Sequence, residues 1–73
     1  MKDIEITTPF IKLGQFLKYA NIAASGGDVK AVLFDESVKV NDEVETRRGR
    51  KLYPGDRIDV EGVGTFTIHH GSD

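Results

Sequence analysis

A chain of 73 residues makes one small domain, which buries roughly 60% of the surface its unfolded chain would expose. Its formal net charge of −2 excludes a uniformly basic nucleic-acid coat, so any surface that binds polyanions is local, with acidic residues on the other faces. There is no cysteine, hence no disulfide and no thiolate metal site, in keeping with a reducing cytoplasm; no apolar run approaches the roughly 20 residues of a membrane span, and MKDIEITT lacks a signal-peptide core.

Ile4 and Ile6 alternate with Asp3, Glu5 and Thr7, the period-two pattern of a short half-buried strand. Thr8 suits an N-cap and Pro9 the first helical position, where a missing N–H costs nothing, so a first helix is predicted from there. Phe10, Leu13, Leu17 and Ala20 recur at helical spacing, with Phe16 widening the apolar stripe. Gly14 inside that helix costs roughly 1 kcal/mol against alanine. Either another backbone comes close to it or the cost is simply tolerated. After a connection over 21–24, Ser25 reads as the N-cap of a second helix, with Asp28 three residues on as its reciprocal partner. Val29, Val32 and Leu33 form the buried stripe and Lys30 points elsewhere. Asp35-Glu36-Ser37 ends the helix with acidic residues that oppose its dipole, so this end is predicted to fray.

Val38 and Val40 alternate with Lys39, Asn41-Asp42 fits the two-residue turn of a hairpin, and Glu43-Val44-Glu45 resumes the strand. Asn-Asp is a weaker pair for that turn than Asn-Gly, because aspartate resists positive φ. The chain then changes character: Arg47, Arg48, Arg50 and Lys51 set four cations around Gly49. Tyr53-Pro54-Gly55-Asp56 makes a turn, and Ile58 and Val60 alternate with Arg57, Asp59 and Glu61. After Gly62-Val63-Gly64, Phe66 and Ile68 alternate with Thr65 and Thr67. His69-His70-Gly71-Ser72-Asp73 has no pattern and is predicted to be a loose tail. The order is strand, two helices, then three or four short strands. That predicts a single α+β domain over 1–73 with its core at about 4–68, two packed helices against a small, mainly antiparallel sheet of short strands.

Catalysis finds little support. There is no cysteine nucleophile, and neighbouring His69 and His70 on an extended chain point to opposite faces, which makes them a poor metal pair. The carboxylates are scattered through turns, and the glycines do not form a phosphate loop ahead of a GK[ST]. No catalytic residue, metal, cofactor or small-molecule substrate is expected. Two features favour an anion instead. Gly26 and Gly27 open the second helix, where bare amides can receive phosphate, although an ordinary capped start explains them too and the Asp28 carboxylate competes for the same donors. Runs of charge such as 47–51 are commonly solvated loops, but three of these four cations are arginine, whose planar fork grips phosphate oxygens in a bidentate way. Exposed arginines of that kind are expected to matter for binding and little for the fold. Tyr53, just beyond, either stacks on a base or plugs the Pro-Gly turn.

Taken together, residues 11–60 resemble the RNA-binding domain of ribosomal protein S4 and several RNA-modifying enzymes, the αL motif. Ile11-Lys12-Leu13 through Phe16-Leu17 looks like its first helix and Ser25 through Leu33 like its second. Val38-Lys39-Val40-Asn41-Asp42 is similar to its hairpin, and Tyr53-Pro54-Gly55-Asp56-Arg57-Ile58 to its late turn and strand. The runs Ser25-Gly26-Gly27-Asp28-Val29-Lys30 and Arg47-Arg48-Gly49-Arg50-Lys51-Leu52 are similar to those of stand-alone bacterial members, the YaaA-type proteins. The resemblance implies a non-catalytic module that binds structured RNA, with ribosomal RNA during ribosome assembly or quality control as the expected target and no membrane partner. The RNA-binding residues are expected to be Lys12, Gly26, Gly27, Lys30, Arg47, Arg48, Arg50 and Lys51. Gly26 replaces a common arginine, Lys12 replaces another, and Glu36 and Asp42 stand where glycine is usual; these departures imply weaker binding than the family type. The rival reading is a protein-interaction module whose arginine loop docks on an acidic partner. A sulfur-carrier domain would need a C-terminal Gly-Gly, which His70-Gly71-Ser72-Asp73 does not supply.

Overall fold

The computed structural model describes residues 2–71. Strand β1 (Lys2–Ile6) buries Ile4 and Ile6 on one face, as its alternation predicts. A two-residue strand, β2 (Ile11–Lys12), leads directly into helix α1 (Leu13–Tyr19), and helix α2 (Gly26–Phe34) follows. Strands β3 (Val38–Val40), β4 (Glu43–Val44), β5 (Lys51–Leu52), β6 (Arg57–Val60) and β7 (Gly64–His70) complete the chain. The main sheet has the order β1-β7-β6-β3-β4; its pairs are antiparallel except β1 with β7, which run parallel. β2 and β5 form a separate antiparallel ribbon in which Ile11 faces Leu52 and Lys12 faces Lys51. The α+β architecture is therefore as predicted, with one strand more after the helices than the pattern suggested and the β2 ribbon partner besides.

Leu13, Phe16 and Leu17 of α1, Val29 and Leu33 of α2, and Val38, Val40, Ile58 and Ile68 of the sheet share one core. The rings of Phe16 and Phe66 meet edge to face at 5.3 Å, joining helix layer to sheet. Two turns behave as their residues require. Asn41 and Asp42 take φ of 52° and 72°, the mirror-image hairpin turn, and the Asp42 carboxylate accepts from the Arg57 guanidinium, which offsets its backbone strain. Gly55 at φ 97° after Pro54 gives a type II turn, held by the Tyr53 amide donating to the Asp56 carboxylate at 2.8 Å.

Three expectations need correction. The first helix starts at Leu13, not at Pro9, because Ile11 and Lys12 are claimed by pairing with Lys51 and Leu52. The Thr8 hydroxyl accordingly donates to the Phe10 carbonyl at 2.8 Å and caps nothing. The last turn of α2 is closed, with the Asp35 amide donating to the Ala31 carbonyl and the Glu36 amide to that of Leu33, as Glu36 takes φ 56° in place of a glycine. His69 and His70 are not a loose tail: they continue β7 opposite Glu5 and Ile6, and the Gly71 amide donates to the Ile6 carbonyl at 2.8 Å. A parallel partner contributed from the far end of the chain leaves no local pattern to read. Ser72 and Asp73 lie outside the described residues. Among the described residues no helix is long and apolar enough to cross a membrane, and no three of His, Cys, Asp and Glu gather in a way that would hold a metal ion.

Candidate nucleic-acid interface

The 45–51 segment is built around a carboxylate. Glu45 follows β4 and turns inward, leaving its side chain 8% exposed, while Val44 faces out. It accepts from the backbone amides of Thr46 and Arg47 at 3.1 and 3.0 Å. It also accepts from Arg47 Nε at 3.0 Å, Arg47 Nη2 at 3.3 Å and Arg50 Nη1 at 2.9 Å. The hydrogen bond from Arg47 does most to hold the Glu45 carboxyl down at about 2 against an ordinary 4.5; burial opposes it, and Arg50 adds to it. The same contact raises the Arg47 pKa. Two of the four cations in the run are thus ion-paired: the guanidinium of Arg47 is clasped although its side chain is 75% exposed, and Arg50 is only 29% exposed.

Held in this way, the loop presents its backbone to α1. The Leu13 amide donates to the Arg50 carbonyl at 2.8 Å and the Gly14 amide to the Arg48 carbonyl at 2.9 Å, so the loop satisfies two of the helix's unpaired first-turn donors. A Cβ on Gly14 would stand 3.4 Å from both the Arg48 Cβ and its carbonyl oxygen, so close approach of another backbone explains this glycine. The approach fixes Arg48 over the start of α1. A cleft of about 230 Å³ results, walled by Lys12, Gln15 and Lys18 on one side, Gly26 on another and Arg48 with Gly49 on the third. Arg48 has no ion pair among the described residues, and neither have Lys12 and Lys18. Three uncompensated cations thus converge on one concave surface, the arrangement that draws a polyanion and gains by its binding.

Ser25 caps α2 as predicted, its Oγ accepting from the Asp28 amide at 3.3 Å, but the reciprocal bond is displaced: the Asp28 carboxylate accepts from the Ala24 amide at 3.2 Å and not from that of Ser25. The amides of Gly26 and Gly27 have no partner among the described residues, but only Gly26 lines the cleft. Lys30 lies on a neighbouring, wider cleft with Phe34 and Thr46, and Arg48 borders both. Lys51 stands beside Arg47 and Arg50 on a further shallow depression, its Nζ 4.8 Å from the centre of the Phe10 ring. Tyr53 packs obliquely on Phe10 at 6.0 Å, closer to the plug than to the free stacking ring.

Of the eight site residues expected from the sequence, Lys12, Gly26 and Arg48 meet in one cleft. Lys30 joins it through Arg48, Gly27 stands one residue outside it, and Arg47, Arg50 and Lys51 form its flank. Sequence reasoning missed Lys18 and Glu45. A signal for Lys18 existed: it follows Gly14 by four residues, so whatever approaches Gly14 lies on the Lys18 face. A signal for Glu45 existed too: the two-residue turn at Asn41-Asp42 pairs Val40 with Glu43, which sets Val44 beside Lys39 on the outer face and Glu45 opposite the buried Val38. Among the described residues no carboxylate lines the cleft: Asp42 and Asp59 flank Arg57, and Glu61 lines a separate depression with Lys39.

Comparison with known proteins agrees with this architecture. A family model described as the S4 domain matches residues 4–69. A curated Bacillus subtilis (strain 168) protein, described as "Probable ribosome maturation protein RlbA", is 52% identical over 65 residues, which is 89% of this chain and 92% of that protein.

Proposed function

The chain belongs to the S4-domain family, and from that premise we propose that it is a non-catalytic module binding structured RNA, specifically ribosomal RNA, in the cytoplasmic assembly or quality control of ribosomes. The observation that carries this reading is the convergence of Lys12, Lys18 and Arg48 on one cleft beside the unpartnered Gly26 amide. Point charges and a bare amide suit phosphate oxygens, and they read the spacing of a folded backbone more than base identity. The description of RlbA as a probable ribosome maturation protein supports a ribosomal target.

Sedimentation tests it. The tagged protein is expected to travel with ribosomal particles at low salt and to leave them as salt rises. With about three to five phosphates neutralised, log affinity for a ribosomal RNA fragment falls with log salt at a slope of roughly −2 to −4. Protein that stays at the top of the gradient, together with a slope near zero, overturns the reading. Nuclease treatment of a native pull-down separates the rival: RNA-mediated partners leave, while an acidic protein docked on the arginines stays.

A further inference from the structure

The cationic cleft continues past Arg48 into a second, wider one of about 840 Å³ whose character is different. Here Lys30 and Arg48 accompany Phe34, which is 76% exposed on the last turn of α2. The helix explains the orientation but not the residue. Val29 and Leu33 point into the core, so Lys30 and Phe34, one turn apart, share the outer face, where the fold needs nothing apolar. Phe34 belongs to no aromatic pair among the described residues, whereas Tyr53 and Phe10 lie against each other and the Phe10 ring also meets Lys51. An exposed phenyl ring beside two cations offers a flat apolar face and positive charge together, which suits a ligand that is both aromatic and anionic.

We propose that Phe34 is a stacking platform for an unpaired nucleobase, whose flanking phosphates lie on Lys30 and Arg48. This deepens the RNA reading above and rests on it. Charge complementarity selects the occupant: an apolar protein segment would leave Lys30 and Arg48 unmatched, whereas a nucleotide offers a π-face for the ring and phosphates for the cations. Glu36 lines the same cleft and repels phosphate, so the aromatic part suits the neutral base and the Lys30–Arg48 part the backbone. Because Arg48 borders both clefts, one strand can lay its phosphates across Lys12, Lys18 and Arg48 and place a base that has left its stack on Phe34. The module thereby selects RNA that carries a bulge or a loop over an uninterrupted duplex.

Three hairpin probes test this on the full chain by fluorescence anisotropy at fixed salt: one with a two-nucleotide bulge, the same hairpin with abasic sugars in the bulge, and one fully paired. Wild-type protein is expected to bind the bulged hairpin about tenfold more tightly than the abasic one, a typical stacking contribution. Phe34→Ala and Phe34→Leu erase that preference and leave the salt slope unchanged, while Phe34→Trp keeps it. Loss in Phe34→Leu identifies stacking, because leucine retains the apolar bulk, and thermal unfolding confirms that each variant is folded. A wild-type protein that binds all three probes equally, or a Phe34→Ala variant that keeps the preference, overturns the platform, and the apolar face then belongs to a protein partner. Failure of the wild type to bind any probe overturns the RNA reading itself.

Discussion

Arg47 and Arg48 are neighbours with the same side chain, yet the first is paired within the fold and the second has no ion pair among the described residues. Beneath Arg47 and Arg50 lies the carboxylate of Glu45, which takes hydrogen bonds from both. Arg48 lies against Gly14, and Lys12 and Lys18 line the same cleft with it. Density of charge along a sequence says that cations are concentrated; it does not say which are already matched. A single acidic residue sorts them, converting part of the run into a scaffold that holds the remainder in place. Preorganisation of this kind reduces the entropy lost when a ligand binds.

The largest effect should come from removing the clasp. Glu45→Ala takes away a charge-assisted network and frees the loop that caps α1, and we expect a loss of about 2–3 kcal/mol, or roughly 10 °C or more in melting temperature for a domain of this size. RNA affinity should fall with it even though the net charge becomes less negative, because Arg48 loses its position. A melting temperature unchanged by Glu45→Ala would return Arg47 and Arg50 to the ligand-binding set.

Acid probes the same clasp without mutation. Folding lowers the Glu45 pKa from 4.5 to about 2, so its contribution is fully present above about pH 4.5 and drains away as the pH falls toward 2. Arg47 is largely solvated and screens the interaction, which brings the expected contribution to about 1–2 kcal/mol. Stability of the parent should therefore decline over that window by this much more than stability of Glu45→Gln; parallel pH curves would show that the pair adds nothing to the fold.

The free cations should respond in the opposite way. Arg48→Ala is expected to weaken RNA binding about tenfold with the melting temperature unchanged, since it removes a phosphate contact and no internal pair. Arg47→Ala should reverse that balance, costing stability more than affinity. If filter binding shows equal losses for the two variants, the distinction between clasped and free arginines does not hold.

The fold was legible to the extent that its elements are local. The apolar stripes of both helices, the Asn41-Asp42 hairpin and the Pro54-Gly55 turn follow from periodicity and turn chemistry within a few residues. What escaped depends on distant partners. Ile11 and Lys12 read as helix until Leu52 and Lys51 claim them, and His69 reads as tail until Glu5 pairs with it. The site divided along the same line. Lys12, Gly26 and Arg48 were visible as residue types suited to phosphate. That Glu45 turns inward follows from the hairpin register, which sets it opposite Val38; that Arg47 and Arg50 would fold over it does not, because no local pattern names the partners of a carboxylate.

The smallest predicted effect asks whether the cleft extends to the backbone of α2. Gly26 and Gly27 both begin the helix with unpartnered amides, but only Gly26 lines the cleft. An added Cβ at Gly26 meets nothing within 4 Å, and one at Gly27 meets only Ser25 Oγ at 3.8 Å, so alanine fits the folded protein at either position. Both substitutions should leave stability unchanged or raise it by up to about 1 kcal/mol, since alanine is the better helix former. They should part company in binding. A methyl group on Gly26 stands between the amide and an incoming phosphate, and a two- to threefold loss of RNA affinity is expected; Gly27→Ala should bind like the parent. Titrations of the two variants in the same buffer decide the matter, because their folding effects are matched. Equal affinities would confine the phosphate contacts to side chains, and equal losses would mean that the ligand reaches further along the helix start than the cleft does.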